Sequence, residues 1–190
     1  MVRSFLKDTD FTPAEAREGF ALAARYKATR SAGVIDVLKS QSWGVLFYKK
    51  STRTRLSFEA GLYELGGHPM GMNANDLQIS RGETIEDTAR IMGRFLHGLV
   101  IRTFGQDIVE KFAKYSGIPV VNALTDLLHP CQSYTDMFTM SEFFSDGAPS
   151  CESLKGKKFV FFGDTACNMA YSLALAGAMF GVEVVLCGPD

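Results

Sequence analysis

One segment establishes the architecture of this chain: Trp43-Gly-Val-Leu-Phe-Tyr48, then Ser51-Thr-Arg-Thr-Arg55, then Leu56-Ser-Phe-Glu-Ala-Gly-Leu-Tyr-Glu-Leu65. The first run is apolar and of strand length, and the third is typical of a helix, so the polar residues lie where a strand passes into a helix. The N–H groups of a first helical turn lack intrahelical partners, and the helix dipole is positive there. These N–H groups, together with the two guanidinium groups of Arg53 and Arg55, predict a phosphate site. The alternative is that the pentapeptide only caps a helix.

Apolar runs and helical patterns alternate along the rest of the chain. Further strands are predicted near residues 68–73, 98–102 and 118–122, with helices near residues 84–95 and 105–116 between them. A first helix is predicted from Thr12-Pro13 to about Lys27. This alternation predicts an α/β fold with a parallel sheet flanked by helices.

Ligands of parallel sheets bind beyond the carboxyl ends of the strands. Three polar clusters follow strands in this sequence: Ser51 to Arg55, Arg102 with Thr103, and His129-Pro-Cys-Gln132. We expect all three at one edge of the sheet. A lone histidine is more often structural than catalytic, but His129 and Gln132 together offer neutral donors suited to a polarised carbonyl oxygen.

The C-terminal part of the chain predicts a second unit. A helix from about Gln132 to Phe144 is followed by a linker, Ser145-Asp-Gly-Ala-Pro-Ser150, and then by a strand, a helix near residues 168–180 and a last strand at 183–187. We predict a first domain at residues 1–146 and the beginning of a second, Rossmann-like α/β domain at residues 147–190. One strand–helix–strand unit cannot bury both faces of a sheet, so we expect this chain to be a piece of a longer enzyme.

Composition narrows the classes of function. The 190 residues are 46% hydrophobic and 22% charged, with a net charge of −1, which is typical of a globular protein and argues against a nucleic-acid partner. No run is long enough for a membrane span, and no signal-peptide core is visible. The four cysteines have no CxxC spacing. We therefore expect reduced thiols, no metal, no cofactor and a cytoplasmic location.

Four motifs in order resemble the aspartate/ornithine carbamoyltransferase family, and they match its N-terminal part from about Phe5 onward. They are Ser51-Thr-Arg-Thr-Arg55, the segment from Gln78 to Arg90, Arg102, and His129-Pro-Cys-Gln132. The resemblance implies transfer of a carbamoyl group from carbamoyl phosphate to an amine. It assigns the phosphate to Ser51, Thr52, Arg53 and Thr54, and the carbonyl oxygen to the catalytic residues Arg102, His129 and Gln132.

Other roles remain open within the resemblance. The loop carrying Gln78 implies a homotrimer with intersubunit active sites, in which Gln78 reaches carbamoyl phosphate of a neighbouring subunit and Arg81 serves instead or as well. Arg55 is either a ligand contact or part of a surface ion pair. Cys131 has no evident base beside it, which disfavours a covalent nucleophile.

The second substrate depends on Gly163-Asp-Thr-Ala-Cys-Asn168. A dinucleotide loop is excluded because GxGxxG is absent. Asn168 matches an ornithine-binding asparagine of the ornithine branch, although Cys167 departs from its pattern, and no arginine for a second carboxylate occurs between Lys158 and Asp190. The resemblance thus implies ornithine as acceptor, citrulline as product and a place in arginine metabolism, biosynthetic or catabolic. The alternatives are an aspartate carbamoyltransferase and a non-catalytic carbamoyl-phosphate-binding module. The 190 residues alone are expected to be inactive, because the acidic group for the ornithine amine is not among them.

Overall fold

Two parallel sheets, of four strands and of two, organise the protein in the computed structural model, which describes residues 2–30, 33, 35–146 and 149–189. The larger sheet has the order β2-β1-β3-β4, and the smaller pairs β5 with β6. The strands are β1 (Ser42–Phe47), β2 (His68–Asn73), β3 (Gly98–Arg102), β4 (Val120–Leu124), β5 (Lys158–Phe162) and β6 (Glu183–Cys187). The α-helices are α1 (Pro13–Thr29), α2 (Arg53–Glu64), α3 (Ile85–Phe95), α4 (Gln106–Ser116), α5 (Pro130–Phe144) and α6 (Asn168–Phe180). The predicted α/β fold is confirmed.

The contacts divide the chain into two compact units, of which the first comprises Met1–Leu6 and Ala32–Asp126. Its central strands β1 and β3 are buried on both faces, as their continuous apolar sequence requires. On one face Leu46 and Ile101 pack with Phe112 and the other buried residues of α3 and α4. On the other face Val45 and Val100 pack in a cluster with Leu62 of α2 and other apolar residues. This packing fixes the carboxyl ends of β1 and β3 side by side.

Differences from the predicted elements lie at their ends. Strand β4 begins at Val120 and not at residue 118, because Pro119 has no N–H to donate and offers only its carbonyl, to Leu99 N–H. Helix α5 begins at Pro130 and not at Gln132, since proline suits the first helical position. Short 3₁₀ segments at Asp36–Leu38, Ala74–Asp76, Gln78–Arg81 and Cys151–Leu154 were not predicted.

The second compact unit comprises Lys7–Ser31 and Leu127–Asp190. Helix α1 opens with Thr12 and Glu15 in a capping box, and its Phe20 stacks on Phe180 of α6 with ring centroids 5.0 Å apart. This unit groups α1 and α5 with residues after 146, so it is drawn differently from the domains that the sequence suggests. The boundary at residues 146 and 147 stays a prediction, and residues 147 and 148 of the predicted linker lie outside the described residues. Within the described ranges, no helix is long and apolar enough to cross a membrane.

Candidate active site

The start of α2 is built as the sequence predicts. Thr52 is the N-cap residue, and its side chain accepts no capping hydrogen bond, so the first-turn N–H groups are left for another acceptor. Ser51 and Thr52 border a cavity of about 410 Å³, which Lys49, Lys50 and Arg55 also line. Cations and unsatisfied N–H groups therefore share one concave surface, which suits an anion.

Arg102 ends β3 beside this helix start. The register pairs Arg102 with Phe47 at the end of β1, and its Nη1 lies 3.4 Å from Thr54 Oγ1. Its Nε is buried and has no hydrogen-bond partner among the described residues, as is also true of Thr103 Oγ1. Burial lowers the pKa of Arg102, yet a guanidinium stays protonated at any physiological pH. An unsatisfied buried donor on a cation requires an explanation, and a bound anion supplies one.

Two other cations that line the cavity, Lys49 and Arg55, have partners within the protein. Lys49 forms an ion pair with Asp126 and lies over the ring of Phe104, with Nζ 4.4 Å from the ring centroid. Arg55 Nε donates to Glu59 Oε1 at 2.9 Å, which forms an ion pair within α2, and its contact with a ligand stays a prediction. Arg53, by contrast, is exposed and has no ion-pair partner in the part of the chain that the structure describes.

Gln78 lies on the 3₁₀ turn of residues 78–81. The buried Ala74 and the partly buried Leu77 and Ile79 belong to the core of the first unit, whereas Gln78 and Arg81 are exposed. Gly82, with a φ of 97°, ends the turn in a conformation that favours glycine. No hydrogen bond in the described residues joins the Gln78 side chain to Arg102 or to Ser51–Thr54. The structure thus holds the turn in place and presents Gln78 outward.

His129 belongs to the second unit, as the N-cap of α5. Its backbone lies outside the helical region, with φ −138° and ψ 68°, and its residue is 8% exposed. The backbone N–H of His129 donates to Ser172 Oγ at 2.8 Å. Pro130 then starts the helix, so the histidine is held at a fixed junction between loop and helix.

Gln132 lies in the first turn of α5 and is exposed. Its Nε2 donates to Asp136 Oδ1 at 2.9 Å, which uses one of the two N–H donors of the amide. Burial raises the pKa of Asp136, and this hydrogen bond acts in the opposite direction. The second N–H of the Gln132 amide is still available to donate to a carbonyl oxygen.

The thiol of Cys131 is poorly suited to act as a nucleophile. Burial, together with the nearby charge of Asp8, raises the pKa of this thiol to about 12. Because the thiolate is the nucleophile, a thiol that stays protonated is a poor one. The described residues contain no cluster of three His, Cys, Asp or Glu side chains that could hold a metal ion.

Asn168 is the first residue of α6, which follows a turn in which Asp164 Oδ1 accepts from Ala166 N–H. Three residues that the sequence analysis did not single out surround the base of α5 and α6: Asp8, Ser133 and Ser172. No local signal could have found them, since Asp8 and Ser172 are 164 positions apart. Asp136, however, was predictable from its i+4 spacing to Gln132.

This architecture defines a class: a parallel α/β protein with a cavity, lined by cations and hydroxyls, at the start of a helix beyond the strand ends. Residues 3–142 match the family model for the aspartate/ornithine carbamoyltransferase, carbamoyl-P binding domain. The chain therefore belongs to the aspartate/ornithine carbamoyltransferase family, and the predicted resemblance is confirmed.

Relatives and solved structures agree with this assignment. The chain is 44% identical over 188 residues to the ornithine carbamoyltransferase of Akkermansia muciniphila, covering 99% of this chain and 60% of that protein. It is 44% identical over 190 residues to the ornithine carbamoyltransferase of Methanosarcina acetivorans, covering 100% of this chain and 60% of that one. The structure of the Pyrococcus furiosus ornithine carbamoyltransferase superposes with a TM-score of 0.87 at 38% identity, covering 98% of this chain and 57% of that one. The chain thus spans about 60% of the length of these curated relatives.

Proposed function

We propose that this chain supplies the carbamoyl-phosphate-binding part of an enzyme that transfers the carbamoyl group to the δ-amine of ornithine, giving citrulline and phosphate. One observation carries the proposal: the uncommitted N–H groups at the start of α2 lie beside Arg102, whose buried Nε is unsatisfied within the described residues. Carbamoyl phosphate is an anion with an attached carbonyl group, so it can use both features.

The phosphate is assigned to the start of α2. The hydroxyls of Ser51, Thr52 and Thr54 supply neutral donors, and Arg53 supplies a guanidinium whose fork matches two phosphate oxygens. The positive end of the helix dipole adds to this attraction. As the bond to phosphate breaks, negative charge grows on the departing group, so these contacts strengthen in the transition state.

The carbonyl oxygen is assigned to Arg102, His129 and Gln132. In the reaction the amine nitrogen forms a bond to the carbonyl carbon, the bond from that carbon to the phosphate oxygen breaks, and its electron pair leaves with phosphate. The proton lost by the amine is taken up by the departing phosphate. Donors placed on the carbonyl oxygen stabilise the oxyanion between bond formation and bond breaking. No enzyme nucleophile is needed, which fits the raised thiol pKa of Cys131.

The remaining roles depend on the family resemblance. We assign Asn168 to ornithine and Gln78 to carbamoyl phosphate in a neighbouring subunit of a homotrimer, and we place the enzyme in the cytoplasm and in arginine metabolism. The exposure of Gln78 on a turn anchored by Leu77 and Ile79 is compatible with a reach into another subunit. Aspartate is the alternative acceptor, but its second carboxylate lacks an arginine between residues 158 and 190.

A steady-state assay tests this proposal. The whole protein that carries this chain is offered carbamoyl phosphate with either ornithine or aspartate, and citrulline is the expected product. Because the neutral amine attacks, we expect the rate to rise with pH toward the titration of the amine. Carbamoylaspartate would support the aspartate alternative, and phosphate-specific binding without either product would support a non-catalytic module. Residues 1–190 alone should form neither product.

A further inference from the structure

A buried carboxylate lies under the base of α5 in the second unit. Asp8, in the turn before α1, has no solvent exposure, and no cation forms an ion pair with it among the described residues. Burial raises the pKa of Asp8, and only hydroxyl hydrogen bonds oppose that shift among its side-chain partners. A carboxylate in such a place costs stability unless its acceptor positions are used.

Both carboxylate oxygens of Asp8 accept from serines of different helices. Oδ1 accepts from Ser133 Oγ, in the first turn of α5, and Oδ2 accepts from Ser172 Oγ of α6 at 2.9 Å. The backbone carbonyl of Asp8 also accepts from Tyr134 Oη at 2.9 Å. Asp8 therefore links the turn before α1 by hydrogen bonds to the start of α5 and to the second turn of α6.

The chain of hydrogen bonds continues to His129. Ser172 has a single hydroxyl proton, which it donates to Asp8, and its oxygen then accepts from the His129 backbone N–H at 2.8 Å. This polarity matters, because a hydroxyl that donates to a carboxylate is a better acceptor for the next donor. His129 is an N-cap with non-helical φ and ψ and no side-chain cap, so the helix alone does not impose its conformation.

We propose that Asp8 is a positioning residue for His129. Through Ser172 it holds the His129 backbone, and through Ser133 it holds the helical turn that His129 caps, so that the imidazole is presented in one orientation. The inference rests on the proposed role of His129 at the carbonyl oxygen. A positioned donor loses much of its effect when it shifts by about 1 Å, which gives this network a functional consequence.

Hydrogen exchange measured by NMR tests the linkage without any assay of activity. Ser172→Ala removes the acceptor of the His129 N–H, and we expect that amide to exchange with solvent about tenfold faster or more. Ser172→Thr keeps the hydroxyl and should restore the slow exchange. Ser141→Ala is the matched control, because Ser141 is equally buried in α5 but donates to its own helix at Phe138 O.

Asp8→Asn provides a second variant of nearly unchanged volume, for use where Ser172→Ala does not fold. Its amide cannot accept from both serines at once, so we expect the same acceleration at His129. Unchanged exchange of His129 in the folded variants would overturn the proposal.

Kinetics of the whole protein supply the second readout. We expect Ser172→Ala to lower kcat about tenfold with the KM for carbamoyl phosphate within about twofold, and Ser172→Thr to recover it. Faster exchange at His129 with unchanged kcat would make the network purely structural and overturn the positioning role. If the wild-type protein transfers no carbamoyl group, the proposed function fails, while the exchange measurement still reports the linkage.

Discussion

Arg102 Nη1 lies 3.4 Å from the hydroxyl of Thr54, which joins the end of β3 to the first turn of α2 across 48 positions of sequence. The contact is long for a hydrogen bond, so it orients the guanidinium but uses little of its capacity to donate hydrogen bonds. The buried Nε of the same group has no partner among the described residues. Arg102 and Thr54 therefore lie together with donor capacity unused among the described residues, which is the arrangement that the proposed anion site requires.

Removing the Thr54 hydroxyl should weaken carbamoyl phosphate binding. Thr54→Val keeps the shape of the side chain but removes a donor to phosphate and the contact to Arg102, and we expect the dissociation constant to rise about tenfold. Isothermal calorimetry of the whole protein measures this. Thr139→Val is the control, since the exposed Thr139 donates to Thr135 O within its own helix α5. Equal affinities for the two variants would remove Thr54 from the site.

Arg53→Ala should also weaken binding, with the fold intact. The guanidinium is exposed in this structure, so its loss leaves no buried group unpaired, and its charge-assisted contact to phosphate is what disappears. We expect a cost of about 2 kcal/mol, or roughly thirtyfold in the dissociation constant. Arg90→Ala removes the same charge from an exposed pair with Asp87 on α3 and should have no effect. An unaltered affinity of the Arg53 variant would contradict the assignment.

The predictable part of this protein is its local pattern. The apolar run at 43–48 and the polar residues 51–55 predict a strand, a loop and a helix start, and the structure forms all three. The order of strands also places Arg102 near them, because neighbouring parallel strands end at one edge. The meeting of these residues with His129 stays a prediction, since the histidine belongs to the other compact unit.

The parts that could not be predicted depend on partners distant in sequence. Lys49 follows β1 and could equally have been a phosphate ligand, but it pairs with Asp126, 77 positions away. Asp8 resembles any polar residue before a helix, and only the tertiary fold buries it under Ser133 and Ser172. Such groups carry no periodicity or spacing, so their roles follow from packing alone.

Alkaline pH should destabilise the protein through two partly buried residues. Burial raises the pKa of the Cys131 thiol and of the Tyr48 phenol each to about 12. A raised pKa in the folded state means that the folded form holds its proton more tightly, so the stabilisation is complete below the unfolded pKa and is lost as pH rises toward 12. The loss is at most about 1.4 kcal/mol per pH unit for each group.

Urea unfolding at pH 7 and at a pH near 11 measures this loss. At pH 7 the free energy of unfolding of Cys131→Ala and of Tyr48→Phe should not exceed that of the wild type. Above the ordinary pKa of the replaced group, the free energy of unfolding of each variant should fall less steeply with pH than that of the wild type. The exposed Tyr63 gives a control variant, Tyr63→Phe, whose decline should match the wild type. If all slopes coincide, neither buried group controls the alkaline stability.

His129 should act as a donor to the carbonyl oxygen and not as a general base. Loss of one oxyanion donor lowers turnover by about 10²–10³, so His129→Ala should reduce kcat by this factor, whereas His129→Gln keeps an N–H donor and should retain more activity. Both are measured in the whole protein by citrulline formation, with thermal unfolding to confirm that each variant is folded, because His129 is buried. His68→Ala, at an exposed histidine that begins β2, should leave kcat unchanged. A general base would lose its function in both variants alike, since an amide cannot take up the proton. Equal and severe losses of kcat in the two variants would therefore show that His129 transfers a proton and does not act as a donor. Near-wild-type rates in both variants would show that His129 has a structural role.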